Sequence, residues 1–502
     1  MKPANRLFQL FINARLATLL CCSLLVSCGG SGSVTTAGIG GTGISYGAVS
    51  GFGSIILNGS HLDDDTAVVT LDGVPGDDLL PHRGLKQGMV VKVSGTFSGN
   101  TGTAESIEYR DSLEGPVCAL AASIVPPIVG IITLRVLGQT VILDATTIVD
   151  NNDQINFNDI IEVSGLPNEF EQIQASFVEV KNSATLIEVK GFVDDVDINA
   201  EVLTINALDV DYSGSGVIDT SIPGGVPTVG QFVEVKGLAA DFTCGSGVND
   251  TLTATKVELE PEGAGAIPDG VNAEIEGLVT NIDLLPDSFM IGNRLIDITS
   301  SPRYLPQDFG VGNIELGTKV EAEGTSANGV LTATKISFRE NVKLESDVAT
   351  IISGSLPTFS FKLVGLPNIT ITTNSLTTGN AAPTNTGVAP TGHIRVRGIE
   401  GPNKTVLATR IQNQSGSSVI LQGAVDNSLG PLDTEITILG TPVDTILIPD
   451  ISSNFQDVDH MSISRATFLN LVQPGVLVKF KGALTVSPPP TITWDEAELE
   501  DD

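Results

Sequence analysis

Every second residue is apolar in five short runs of this chain: Val91 and Val93, Ile161 and Val163, Val233 and Val235, Ile394 and Val396, Val478 and Phe480. Lys92, Glu162, Glu234, Arg395 and Lys479 stand between them. A period of two with one apolar face predicts a half-buried strand. Each run follows a turn and closes on Gly. Gly88 leads to Gly95, Gly230 to Gly237, Gly317 to Gly324 and Gly475 to Gly482. Two variants occur, Asn158 ahead of Gly165 and Gly392 ahead of Gly398. Asn is the other residue that tolerates a left-handed backbone, so the leading position is read as one that needs positive φ.

Two further signals flank these runs. An opening strand carries Gly47, Gly115, Gly191, Gly277 or Gly423, with Ser346 in that place in the fifth copy. A closing strand reads Leu252-Thr253-Ala254-Thr255-Lys256-Val257, then Leu331-Thr332-Ala333-Thr334-Lys335-Ile336, then Val406-Leu407-Ala408-Thr409-Arg410-Ile411. Between opening and alternating strands lies an apolar hairpin, such as Leu134 to Leu143 around Gly138 or Val202 to Tyr212. A recurring unit of roughly 75 residues is the signature of an array of small domains. About five strands per unit is too few for an immunoglobulin sandwich, whereas a closed barrel removes exposed edges. The expectation is an all-β chain, a tandem array of about six small OB-like β-barrel repeats.

The repeats are placed at 44–112, 113–184, 185–260, 273–341, 342–416 and 417–502, with a Pro/Gly-rich linker at 261–272. The joint from Glu260 to Asn272 is expected to bend the array between repeats three and four. Thr377 to Thr391 reads as a long loop inside repeat five. In repeat six, an acidic tail from Ile492 to Leu499 replaces the usual closing strand. No long amphipathic helix follows the leader.

That leader, 1–27, has a basic start (Lys2, Arg6, Arg15) and an apolar run from Leu16 to Val26, too short to span a membrane. It ends in Leu25-Val26-Ser27-Cys28-Gly29, which resembles the bacterial lipobox. The resemblance implies cleavage before Cys28 and acylation of that residue. Gly29 in the next position implies the outer membrane. A tether of Gly, Ser and Thr, counted with Cys28 as 28–43, would lift the first barrel off the lipid.

The stretch Val136-Leu137-Gly138-Gln139-Thr140-Val141-Ile142-Leu143-Asp144-Ala145-Thr146-Thr147 resembles the middle of a bacterial lipoprotein repeat family known as domain of unknown function 5666. The Gly-x-x-Val-x-Val-x-Gly strand and the Ala-Thr-Lys-Val ending resemble it too. The likeness covers most of 44–420. It implies tandem small barrels on lipid-anchored envelope proteins, and it supplies no activity or catalytic residue.

Composition narrows the function. Removing the three basic leader residues takes the net charge from −33 to −36. Such a field repels nucleic acid and anionic membranes and favours cations and basic partners. Few aromatics argue against base stacking on the barrels. Gly38 to Gly43 matches a dinucleotide fingerprint and Gly43 to Gly47 a nucleophile elbow, but neither has the required strand and helix around it. His61, His82, His393 and His460 lack metal-pair spacing and are read as solvated. Acid clusters at Asp63 to Asp65, Asp77-Asp78 and Asp194, Asp195 and Asp197 are the weak metal candidates, with solvated turns as the bland alternative. Cys118 and Cys244 fall in neighbouring repeats, where a disulfide would pin two units together. No cofactor is implied. The sequence therefore points to a non-enzymatic, lipid-anchored envelope protein serving as an adhesive or spacer scaffold for a protein partner. The alternative is a ligand- or cation-binding lipoprotein using acidic inter-strand loops.

Overall fold

In repeats 1 to 5 the opening segment meets a short hairpin on one side and the alternating strand on the other. In repeat 1 these are Gly41–Gly51, the hairpin Ile55–Leu57 and Ser60–Asp63, and Val90–Ser98. The second hairpin strand runs parallel to the closing strand Thr101–Tyr109, which returns antiparallel to the alternating strand. The circuit closes, so the hydrogen-bonding edges are consumed. Repeat 2 repeats it with Leu113–Ala119, Ile132–Val136, Gln139–Leu143, Ile160–Pro167 and Ile173–Lys181. In repeat 6, by contrast, the hairpin Glu435–Ile438 and Thr441–Asp444 forms a two-stranded sheet of its own. This computed structural model describes residues 39–500 except 53, 100, 127, 129–130, 145, 182–184, 261–266, 306–308, 339–341, 375–376, 402–403, 427–432, 452, 459–460 and 486–490. The chain is a tandem array of small OB-like barrels.

The paired glycines have separate causes. The leading residue is left-handed in all six copies: φ is 90° at Gly88, 69° at Asn158, 87° at Gly230, 76° at Gly317, 73° at Gly392 and 87° at Gly475. The second Gly marks a β-bulge. The register between alternating and closing strands slips at Gly95, Gly165, Gly237, Gly324, Gly398 and Gly482. At five of these six positions the nearest obstacle to a Cβ is a carbonyl oxygen of the closing strand. The Ala-Thr-Lys ending follows from the same bulge. Ala254, Ala333 and Ala408 are buried below it. Thr255, Thr334 and Thr409 are the extra residues, and each hydroxyl donates to a carbonyl of the alternating strand at 3.1 Å (Lys236, Glu323 and Arg397).

The barrels do not form a string that bends after repeat 3. Residues Gly43 to Tyr46 of repeat 1 pair in parallel with Asn272 to Ile275 of repeat 4, so these two barrels share one sheet. Leu113 and Glu114 join Val189 and Glu188 of repeat 3, and Lys343 to Glu345 join Ile420 to Gln422 of repeat 6. Three barrel pairs result: 1 with 4, 2 with 3, 5 with 6. Repeats 2 and 3 share a continuous apolar core, as do 5 and 6.

Other expectations change for the same reason, that pairing extends past the sequence boundaries. Ile39 is 2% exposed and Gly41 already lies in the opening strand, so the last residues assigned to the tether belong to repeat 1. Ile267, assigned to the linker, is buried in the core of repeat 4. Ile492–Leu499 is a true closing strand: it pairs with Leu477–Leu484 and buries Trp494, Ala497 and Leu499. The loop of repeat 5 contains one helical turn, Pro383–Thr386, and buries Ala381 and Ala382. Among the described residues the longest helix is Arg465–Leu471, and none is long and apolar enough to cross a membrane.

Candidate functional site: charged seams and a cleft between barrels

The polar face of the alternating strands does not meet water throughout. Glu162, Glu234 and Lys479 are at most 8% exposed, because another barrel covers them. The densest seam joins repeats 1, 2 and 3 around Lys190. Its ammonium lies 2.5 Å from Asp111, 3.1 Å from Glu188, 3.2 Å from Glu234 and 4.0 Å from Asp72. Nearby, Tyr109 donates to Glu162 at 2.6 Å, and Lys181 reaches the same carboxylate at 2.5 Å. Burial alone would pull the Lys190 ammonium down, but its four carboxylates hold it well above the usual lysine range. Burial pushes Asp111 well up and Asp72 up to about 6, against the pull of Lys190. Glu114 is likewise pushed up to about 7 by burial. Glu188 goes the other way, to about 2, because Lys190 and Lys236 outweigh its burial.

Among the described residues the three-carboxylate group close enough to hold a metal is Asp72, Asp111 and Glu188, not the aspartates singled out in the sequence. Lys190 supplies the positive charge there. Asp194, Asp195 and Asp197 serve other ends. Asp194 accepts the Asn206 N–H at 2.5 Å, and Asp197 accepts those of Asn199 and Ala200 at 2.9 and 3.1 Å. Asp195 pairs through its backbone with Thr204. This use of acid recurs after the hairpin of five of the six barrels, repeat 5 having Asn374 there. Asp63, Asp144, Asp211, Asp297 and Asp444 each accept the N–H two residues on, at 2.7 to 3.1 Å. The acid clusters are thus largely turn devices.

Of the remaining sequence candidates, Cys28 lies outside the described residues. Cys118 and Cys244 form a disulfide with Cα atoms 5.5 Å apart, linking repeats 2 and 3. Asp250 reinforces the same joint. It is fully buried, accepts the N–H groups of Gly138 and Gly245 at 2.8 Å each, and pairs with Arg135 at 3.1 Å. His393 is not a solvated loop residue: its ring is 8% exposed, 2.9 Å from Asp347 and 3.5 Å from Glu345. His82 stacks on Phe52 at 3.8 Å, and burial pulls His61 below its usual range. His460 lies outside the described residues.

A cleft of about 1000 Å3 opens where repeats 1, 2, 4, 5 and 6 converge. Its walls include three of the left-handed turns, at Gly88, Gly317 and Gly475, and the loops that follow the hairpins of repeats 2 and 5. Apolar Leu166, Leu278 and Phe309 alternate with Asn168, Gln174 and Asn374 along it. Arg397 and Arg410 lie 4.8 and 5.8 Å from the Phe309 ring. Concave, mixed walls between domains are the usual setting of a ligand site. No sequence signal marks this cleft, since its residues come from loops of five repeats and share no local pattern.

Comparison with known proteins agrees with the repeat architecture. No curated protein matches the chain. Among solved structures it is similar to "drosophila Unr CSD456", at 17% identity over 36% of this chain and 79% of that one, with a TM-score of 0.13, too low to carry any assignment. The family model "Domain of unknown function (DUF5666)" matches at residues 46–108, 115–179 and 276–337. The regions matched are repeats 1, 2 and 4, which are therefore similar to the domain that this family describes.

Proposed function

We propose that the protein is a non-enzymatic, lipid-anchored component of the cell envelope that acts as a binding scaffold. The observation that supports this most is the parallel pairing of repeats 1 and 4. It fixes barrels distant in sequence beside one another, so their loops keep constant relative positions. A scaffold needs that constancy, whereas a simple spacer would be served by a chain of independent units. The opening strand of repeat 1 also sits between its own alternating strand and repeat 4, so an anchor at Cys28 would grip two barrels at once. The reading places the protein in the outer membrane, held by acyl chains, with an envelope or extracellular protein as partner. Its acidic charge disfavours nucleic acid.

Cross-linking the full lipidated chain in native membranes tests this. One dominant protein partner is expected, together with release of Cys28→Ala from the membrane fraction. A partnerless protein, or a Cys28→Ala chain that stays in the membrane, would overturn the corresponding half of the reading. A second reading, a ligand-binding lipoprotein, is favoured by the cleft itself.

A further inference from the structure

The cleft separates the first barrels of the chain from the last, and its charges do not balance. Six carboxylates line it, against Lys319, Lys404 and Arg410. Three are matched: Asp150 by Lys86 at 2.9 Å, Glu276 by Lys319 at 3.0 Å and Glu315 by Arg410 at 3.8 Å. The other three are Asp144, Glu169 and Glu400. Asp144 is already engaged, by hydrogen bonds from Thr146 and Gln174 and by the charge of nearby Lys319. Glu169 of repeat 2 leans on repeat 4, where a methyl group at Gly317 would touch its carboxylate at 3.5 Å. Glu400 lies 3.6 Å from Lys404, but that ammonium sits closer to Asp426, at 2.6 Å.

We propose that this cleft binds aliphatic ammonium groups, carried by a small polyamine or by the lysine side chains of a peptide, using Glu169 of repeat 2 and Glu400 of repeat 5. The proposal rests on the reading of the cleft as a ligand site. An ammonium brings three donors and no acceptor, which suits walls rich in carboxylate and amide oxygens. The excess of acid turns anions away. A bare divalent ion fits less well, because it needs about six to eight oxygens around one point, whereas Glu169 and Glu400 come from two different barrels and can each meet a separate ammonium. The apolar stretches at Leu166 and Leu278 would receive methylene segments between charges.

Glu400 provides the readout that a purely structural role would not. Burial pushes its carboxyl up to about 7; Lys404 opposes this and Asp426 adds to it. Near neutral pH part of the population is protonated, and an arriving ammonium would expel that proton. The test is calorimetric titration of the full chain, in detergent, with spermidine and separately with penta-lysine, in two buffers of different ionisation heat at pH 7. Saturable heat that depends on the buffer is expected with at least one probe. Spermidine alone would identify a small amine as the ligand type, and penta-lysine alone a peptide. Glu400→Gln should remove the buffer dependence, and Glu169→Gln should weaken binding by about tenfold. Both variants are near-isosteric, and unchanged melting confirms that they fold. No saturable heat from either probe, or binding indifferent to both substitutions, overturns the proposal. Either result leaves the scaffold reading standing, because that depends on the membrane cross-link.

Discussion

The Cα of Gly482 lies so close to the carbonyl oxygen of Thr493 that a Cβ at this position would collide with it. Gly482 is paired with Trp494, the residue after Thr493, at the bulge that lets the alternating and closing strands of repeat 6 curl into a barrel. Gly482→Ala should therefore cost about 2 kcal/mol or more, through displaced backbone rather than lost contacts. The chain's one Trp, Trp494, sits next to this bulge and packs on Phe480 at 5.9 Å. Its fluorescence reports repeat 6 selectively. Urea unfolding followed by Trp494 should shift to lower denaturant in Gly482→Ala and much less in Gly95→Ala, which strikes the equivalent bulge of repeat 1.

The leading position gives a complementary prediction. Asn158 holds φ at 69° where five other repeats use Gly. A β-branched residue there must adopt the left-handed region at a cost of roughly 1–2 kcal/mol. Asn158→Val should lower the melting temperature of repeat 2, while Asn158→Gly should leave it nearly unchanged. Equal losses in both variants would mean that the Asn side chain, not the backbone, is what the position requires.

These two features were legible in the sequence because each demands a residue type that little else can replace. Positive φ selects Gly or Asn, and a bulge with no room for a Cβ selects Gly. The seams were not legible. Glu162 and Glu234 alternate with valine and isoleucine in the same way whether the outer face meets water or another barrel. Covering that face depends on pairing between opening strands of different repeats, as Leu113 and Glu114 with Val189 and Glu188, or, more than 200 positions apart, Ser45 with Glu274, which hydrogen-bond at 2.9 Å. No local period encodes such a contact, so the sequence suggested separate beads. The acid clusters were ambiguous for a related reason: a carboxylate serving its own turn and one serving a metal look alike in one dimension. The cleft is further still from local pattern, being assembled from loops of five repeats.

At the joint between repeats 2 and 3, two restraints of different chemistry act together. The Cys118–Cys244 bridge spans 126 positions, a loop length for which the chain-entropy model gives about 5 kcal/mol. Asp250 holds three groups from full burial, and its removal strands Arg135 and two N–H donors, which should cost about 3–5 kcal/mol. Asp250→Ala is expected to melt repeats 2 and 3 early, and reductant should lower that transition further. Because both devices act on one joint, the combined loss should depart from the sum of the separate ones. A double-mutant cycle with Cys118→Ser and Cys244→Ser measures the departure, and strict additivity would show that the restraints act on independent parts.

The seam around Lys190 predicts an unusual response to pH. Folded Asp72 and Glu114 sit at about 6 and about 7, above the ordinary carboxylate range they recover on unfolding. A raised carboxyl favours the folded state while protonated, so this contribution is complete in mild acid and is lost as pH rises through 6 and 7. Glu188, lowered to about 2, works in the opposite sense, but its contribution changes only below its unfolded value. Between pH 4.5 and 8 the raised carboxyls govern the slope, Asp111 and Glu234 acting in the same sense as Asp72 and Glu114. The junction of repeats 1, 2 and 3 should then lose stability as the solution moves from mild acid to slightly alkaline. Hydrogen exchange at the amides of Asp111 and Glu188 across that range would follow the junction itself. Asp72→Asn together with Glu114→Gln should flatten the profile, since neither amide titrates. A profile that rises with pH would mean that Lys190 and its neighbouring lysines neutralise the seam more fully than their separations imply.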